Sequence, residues 1–125
     1  MKIFLADASS DVRLALQLML DTEPGLNVTG LAVQTEGLLA QIEVIQPDVL
    51  LLDWSLVRES LDDFLTSLRM VKPCPRVIIL GINPGEEQTL PVTGVDAFFY
   101  KAYPAEELLT ILRRMRDEVK QKRSE

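Results

Sequence analysis

Short apolar runs and amphipathic segments alternate along the whole chain. Residues 2 to 6 (KIFLA) read as a strand. Ser9 to Leu20 follows as a helix, with Val12, Ala15, Leu16, Met19 and Leu20 recurring at helical spacing. Ser9, Ser10 and Asp11 offer oxygens to its first turn, and Glu23-Pro24-Gly25 ends it. Asn27 to Ala32 is a weaker second strand. Thr35 to Gln46 reads as a second helix, with Leu38, Leu39, Ile42 and Ile45 on one side and Pro47 just past its end. Asp48 to Asp53 (DVLLLD) is a third strand, and its unbroken apolar run suits a strand covered on both faces. Leu61 to Val71 is helical in pattern. Arg76 to Gly81 is the fourth strand, followed by a poor helix around Glu86 to Leu90 that Pro91 and Gly94 cut short. Ala97 to Lys101 is the fifth strand. Pro104 then opens a last helix, with Leu108, Leu109, Leu112, Met115 and Val119 facing inward.

Five repeats of strand then helix predict an α/β fold, a doubly wound five-stranded parallel sheet with helices on both faces and right-handed crossovers. In such sheets ligands bind outside the carboxyl ends of the strands.

Composition narrows the chemistry. At 125 residues the chain is one domain, with 113–125 as the end of the last helix and a charged tail that frays or begins a linker. It has no histidine, which excludes a His-ligated zinc site, a histidine-based triad and a phosphohistidine on this chain. Its one cysteine, Cys74, lies between two prolines and rules out an intrachain disulfide, which fits a reducing, cytoplasmic setting. The net charge of −6 argues against nucleic-acid or membrane-surface binding. The N-terminal apolar run is too short for a signal peptide or a membrane span. No glycine-rich nucleotide-binding motif follows the first strand.

Candidate chemistry sits at the strand ends. Asp7, Asp53, Gly81 and Lys101 close the first, third, fourth and fifth strands and share one edge of the sheet. Carboxylates 4 Å apart repel by about 4 kcal/mol gross at an effective dielectric of about 20, so a divalent cation or the Lys101 ammonium must relieve Asp7 and Asp53. Mg²⁺ takes one or two carboxylates and keeps positions for water and phosphate. A carboxylate can itself attack phosphorus, with cations on the phosphoryl oxygens. Asp and Lys also end strands simply because strands end in water; their joint occurrence at three strand ends carries the functional alternative.

Four segments, FLADASSDVR (4–13), PDVLLLDWSL (47–56), RVIILG (76–81) and GVDAFFYKAYPAEEL (94–108), resemble a response-regulator receiver domain, the family of the chemotaxis response regulator. The resemblance covers essentially the whole chain. It implies a flavodoxin-like fold with strand order 2-1-3-4-5. It also implies Asp53 as phosphoacceptor, Lys101 as a contact to the phosphoryl group, and Asp7 with Asp53 as Mg²⁺ ligands. The chain departs from the family at three places. The second of two adjacent metal-binding acids is Ala8. The hydroxyl residue after the fourth strand is Gly81. The Lys-Pro step is Lys101-Ala102, where nothing calls for a cis peptide. Phe98 keeps a ring, without a hydroxyl, at the aromatic switch position. These departures make it an atypical member, with weak or absent Mg²⁺ binding. Asp11 either compensates as a ligand or serves only the helix N-terminus. Trp54 and Ser55 flank Asp53 at the site rim.

Two functions follow. In the first, Asp53 accepts a phosphoryl group from a sensor histidine kinase or small donor in a two-component phosphorelay, and the chain is no enzyme beyond its own phosphorylation and dephosphorylation. In the second, the domain is a phosphorylation-independent interaction or dimerisation module. Leu14 and Leu18 on the first helix are a candidate partner surface, and Val92, Val95, Phe99 and Tyr100 a candidate homodimer surface or plain core. The signalling function requires Asp7, Asp53 and Lys101 to meet, and Asp53 to be reachable.

Overall fold

A computed structural model describes residues 1–83, 85–89 and 94–124. The strands are β1 (Lys2–Ala6), β2 (Asn27–Ala32), β3 (Val49–Asp53), β4 (Arg76–Gly81) and β5 (Ala97–Tyr100). The helices are α1 (Ser10–Asp21), α2 (Leu38–Ile45), α3 (Trp54–Val57), α4 (Leu61–Arg69) and α5 (Ala105–Ser124), with a 3₁₀ turn at Glu86–Thr89. The strands form one parallel sheet in the order β2-β1-β3-β4-β5. This is the doubly wound parallel sheet that the alternation of elements predicts, in the flavodoxin-like order that the resemblance implies.

Successive strand side chains point to opposite faces, and this splits the core in two. Phe4, Ala6, Leu50, Leu52, Val77 and Ile79 pack with α2 and α4. Ile3, Leu5, Val49, Leu51, Ile78 and Leu80 pack with Leu20 of α1 and with Leu108, Leu112 and Met115 of α5. All five residues of β3 are buried, as its apolar run implies. On the edge strand β2, Gly30 lies beside Phe4, and a Cβ there would stand 2.5 Å from the Phe4 ring. The glycine makes room for the ring.

Several boundaries differ from the sequence pattern. Helix α2 starts at Leu38 rather than Thr35, because Gly37 precedes it in a left-handed conformation (φ 76°). Residues 54–57, to which the sequence pattern assigns no element, form the short helix α3, whose N-cap is Asp53 itself. Helix α4 stops at Arg69, two residues early. The poor fourth helix is only a 3₁₀ turn. Ala15 of α1 is exposed rather than inward. Helix α5 continues past Arg113 to Ser124. Arg113 and Arg116 clamp Glu23 at 2.8 and 3.2 Å, and Arg76 holds Glu118 at 2.6 Å, so the helix is tied to the body well past its middle. Leu14 and Leu18 are exposed, as their position off the apolar stripe predicts. Of the candidate homodimer residues, Phe99 and Tyr100 are buried, Val95 is half-buried, and Val92 lies outside the described residues. Among the described residues no helix is long and apolar enough to cross a membrane.

Candidate functional site

Strand register brings the chemistry together. Ala6 pairs with Leu52, so the residues that follow, Asp7 and Asp53, leave the sheet side by side. Lys101 follows the Gly81–Tyr100 pair, and its amide donates to the Gly81 carbonyl at 2.8 Å. The Lys101 side chain reaches past the end of β4. Its Nζ lies 2.7 Å from Asp7 Oδ2 and 3.1 Å from Asp53 Oδ1. The three residues named from the sequence therefore meet, and one ammonium bridges two carboxylates.

The pocket is nearly closed. The side chain of Asp7 is 0% exposed, that of Asp53 3%, and that of Lys101 17%, so the lysine is its most open edge. Asp7 Oδ1 accepts from the Ser9 amide at 2.9 Å, and the Asp7 carbonyl accepts from Arg13 at 2.7 Å. Asp7 Oδ2 is buried and receives no well-directed hydrogen bond, so its compensation is the ion pair with Lys101.

Asp53 is more fully engaged. Oδ1 accepts from the Ser55 amide at 3.1 Å and faces Lys101, while Oδ2 accepts from the Ser55 hydroxyl at 2.8 Å and from the Ala8 amide at 3.4 Å. These contacts make Asp53 the cap that starts α3. Burial pushes the Asp53 carboxyl up. The Ser55 hydroxyl, the Lys101 ammonium and the Ser55 amide outweigh it and hold the group below the ordinary aspartate range. Ser55 is thus a direct partner of Asp53 rather than a plain loop residue.

The donor set does not fit a resident divalent cation. Mg²⁺ asks for oxygen ligands in near-octahedral array. Between the two carboxylates stands the Lys101 ammonium, and position 8 contributes an amide donor rather than an acid. Asp11 is exposed in the first turn of α1, where Ser9 caps the helix, and does not join the cluster. No group of three or more His, Cys, Asp or Glu able to hold a metal occurs among the described residues.

At the end of β4 the space is filled by packing. A Cβ on Gly81 would stand 2.7 Å from Phe98 Cε1, nearer still to Cζ, and 3.2 Å from Glu86 Oε1. Phe98 therefore occupies the volume of the missing side chain. Its ring meets Tyr100 edge-on at 4.8 Å, and the Tyr100 hydroxyl accepts from the Gly85 amide at 2.9 Å. Glu86 Oε1 accepts from the amides of Ile82 and Asn83 at 2.7 and 2.6 Å, and Oε2 faces Arg58 at 3.6 Å. Glu86 and Arg58 tie the loops after β3 and β4 together, a role that sequence reasoning missed. The signal for Glu86 was present as the capping-box spacing Asn83-x-x-Glu86. Trp54 does not stand at the rim. It is buried in the core and forms one wall of a cavity of 280 Å³ shared with Arg58, Ser60 and Asp63.

Known proteins share this fold. No protein-family model matches the chain. Over 88 residues, 70% of its length, it is 34% identical to protein-glutamate methylesterase/protein-glutamine glutaminase 2 of Cereibacter sphaeroides. That match takes in 24% of the methylesterase, so the chain spans about a quarter of this relative. The response regulator domain of Thermotoga maritima CheB superposes with a TM-score of 0.75 at 21% identity, covering 94% of this chain and 96% of that one. A chain in the complex of the phosphorylated P1 domain of CheA3 with CheY6 from R. sphaeroides gives a TM-score of 0.69 at 17% identity, covering 93% and 96%. The chain has the receiver-type fold of the two-component response regulators. Within that class the chain resembles the chemotaxis response regulators.

Proposed function

We propose that the chain is a signalling receiver in which Asp53 accepts a phosphoryl group. The observation that carries this reading is the bridge from Lys101 to Asp53 and Asp7 at the carboxyl edge of the sheet. A lowered pKa keeps Asp53 ionised at neutral pH, as a nucleophile towards phosphorus must be. Oδ2 is the attacking oxygen in this scheme, because its near donor is a hydroxyl that can rotate away and its other donor is at 3.4 Å. It forms the new O–P bond while the donor's bond to phosphorus breaks and the leaving group departs with that electron pair. Lys101 then faces the transferred group with its positive charge. The solved complex of a phosphorylated CheA3 domain with CheY6 points to a histidine kinase as the partner class. Incubation with a kinase phosphodonor domain or acetyl phosphate, with and without Mg²⁺, followed by intact mass, tests this. One added phosphate, absent in Asp53→Ala, is expected. No addition, or addition that survives Asp53→Ala, refutes it.

A second reading has its own support. The 3% exposure of the Asp53 side chain, its fully engaged oxygens and the filled space at Gly81 favour an interaction module that works without phosphorylation. Partner binding unchanged in Asp53→Ala and Asp53→Asn is its expected result.

A further inference from the structure

The buried acids at the sheet edge need a cation, and the chain carries its own. Asp7 and Asp53 come from different strands, neither side chain is more than 3% exposed, and one Asp7 oxygen has no directed hydrogen bond. Left alone, two such carboxylates would repel one another and lack solvation. We propose that the Lys101 ammonium is the permanent cation of this pocket, standing in the gap where a third acid at position 8 would complete a divalent-metal site.

Three observations support this. One Nζ lies within 3.1 Å of both carboxylates, so the cation position between them is taken. The remaining contacts to Asp53 come from donors, namely the Ser55 amide, the Ser55 hydroxyl and the Ala8 amide, and a metal ion has no use for donors. Position 8 is an exposed alanine and contributes its backbone amide, not an acid, to the pocket. Asp7, Asp53 and Lys101 together carry a single net negative charge, with the Arg13 guanidinium a further positive charge on the Asp7 carbonyl. A divalent ion added without displacing Lys101 would turn that into a net positive charge inside a closed site. The proposal concerns the charge balance of the folded chain, so it holds or fails whether or not Asp53 is phosphorylated.

Thermal unfolding of the whole chain in EDTA, in millimolar MgCl₂ and in NaCl of matched ionic strength tests it. The unaltered chain should melt at the same temperature in MgCl₂ and in matched NaCl. Ala8→Asp adds an acid next to Asp7, at the residue whose amide contacts Asp53. It should melt lower in EDTA and rise with MgCl₂ concentration, as binding to the folded state alone requires. Lys101→Met empties the cation position. If it folds, it too should become magnesium-responsive; if it fails to fold, Ala8→Asp still decides. A magnesium-specific rise in the unaltered chain that disappears in Asp53→Asn would overturn the proposal. So would an Ala8→Asp chain that folds yet ignores magnesium.

Discussion

The ends of β3 and β4 are neighbours in the sheet, yet they solve the same problem in opposite ways. At β3 the chain ends in charge. Asp53 is held by Lys101, by both donors of Ser55 and by the Ala8 amide, and Asp7 stands beside it. At β4 it ends in packing, where Gly81 offers no side chain and the Phe98 ring fills the space. Beyond strand pairing and the backbone of Lys101, Arg58 and Glu86 join the two ends at their rim. The difference teaches that neighbouring strand ends can be closed by charge balance or by packing alone. The first end keeps a carboxylate poised against an ammonium. The second has no side chain, and a ring already sits where one at position 81 would stand.

Removing the cation should have the largest effect on the charged end. Lys101→Met leaves two buried carboxylates facing each other, and losing one partner of a buried ion pair costs about 3–5 kcal/mol. Urea unfolding of the metal-free chain should show a lower midpoint with an unchanged slope. A loss below about 1 kcal/mol, the range of exposed pairs, would mean that solvent already screens the cluster.

Adding bulk should damage the packed end somewhat less. Gly81→Ala puts a methyl group into the Phe98 ring, and overpacking of this kind costs about 1–3 kcal/mol. Shrinking the ring should recover part of it. The cost of Gly81→Ala should therefore be smaller in a Phe98→Leu background, a coupling of about 0.5–3 kcal/mol for residues in contact. Additive costs would show that the ring can swing clear of position 81. Coupling of either variant to Lys101→Met should be small, since Lys101 meets Gly81 through its backbone amide, which the substitution leaves in place.

The charged end was far more legible in the sequence than the packed one. Asp7, Asp53 and Lys101 are chemically distinctive, and strand alternation alone puts them on one edge. The apolar run from Val49 to Leu52 announced a doubly covered strand. What sequence reasoning missed depends on contacts between distant residues. The filling of Gly81 depends on where the Phe98 side chain points, seventeen positions away and on the next strand. The continuation of α5 depends on Glu23, 90 residues from Arg113. Helix α3 is a single turn without a periodic pattern of its own, and the residue that caps it is the one singled out for chemistry. Trp54 adjoins Asp53 in sequence, but a helical turn swings it into the core. The register of the helices was less readable than that of the strands, as Ala15 and the late start of α2 show.

The smallest effect expected is also the one that reports most directly on Asp53. Its carboxyl sits below the ordinary value of 3.8, against the pull of burial, because Ser55 and Lys101 favour the ionised form. A group whose folded pKa is depressed adds stability above its unfolded pKa and loses it as pH falls through the folded one. Asp53→Asn keeps the shape but cannot ionise. The stability gap between the unaltered chain and Asp53→Asn should stay constant from neutral pH down to about 4, then narrow as the medium becomes more acid. Ser55→Ala removes the hydroxyl donor while leaving the Ser55 amide and Lys101. It should cost about 1.5 kcal/mol, the low end for a hydrogen bond to a charged group, and should shift the narrowing to higher pH. Unfolding midpoints from pH 7 down to the acid limit of folding, taken on all three chains, check both points. A gap that widens in acid would reverse the sign argued here and make burial, rather than its donors, the dominant influence on Asp53.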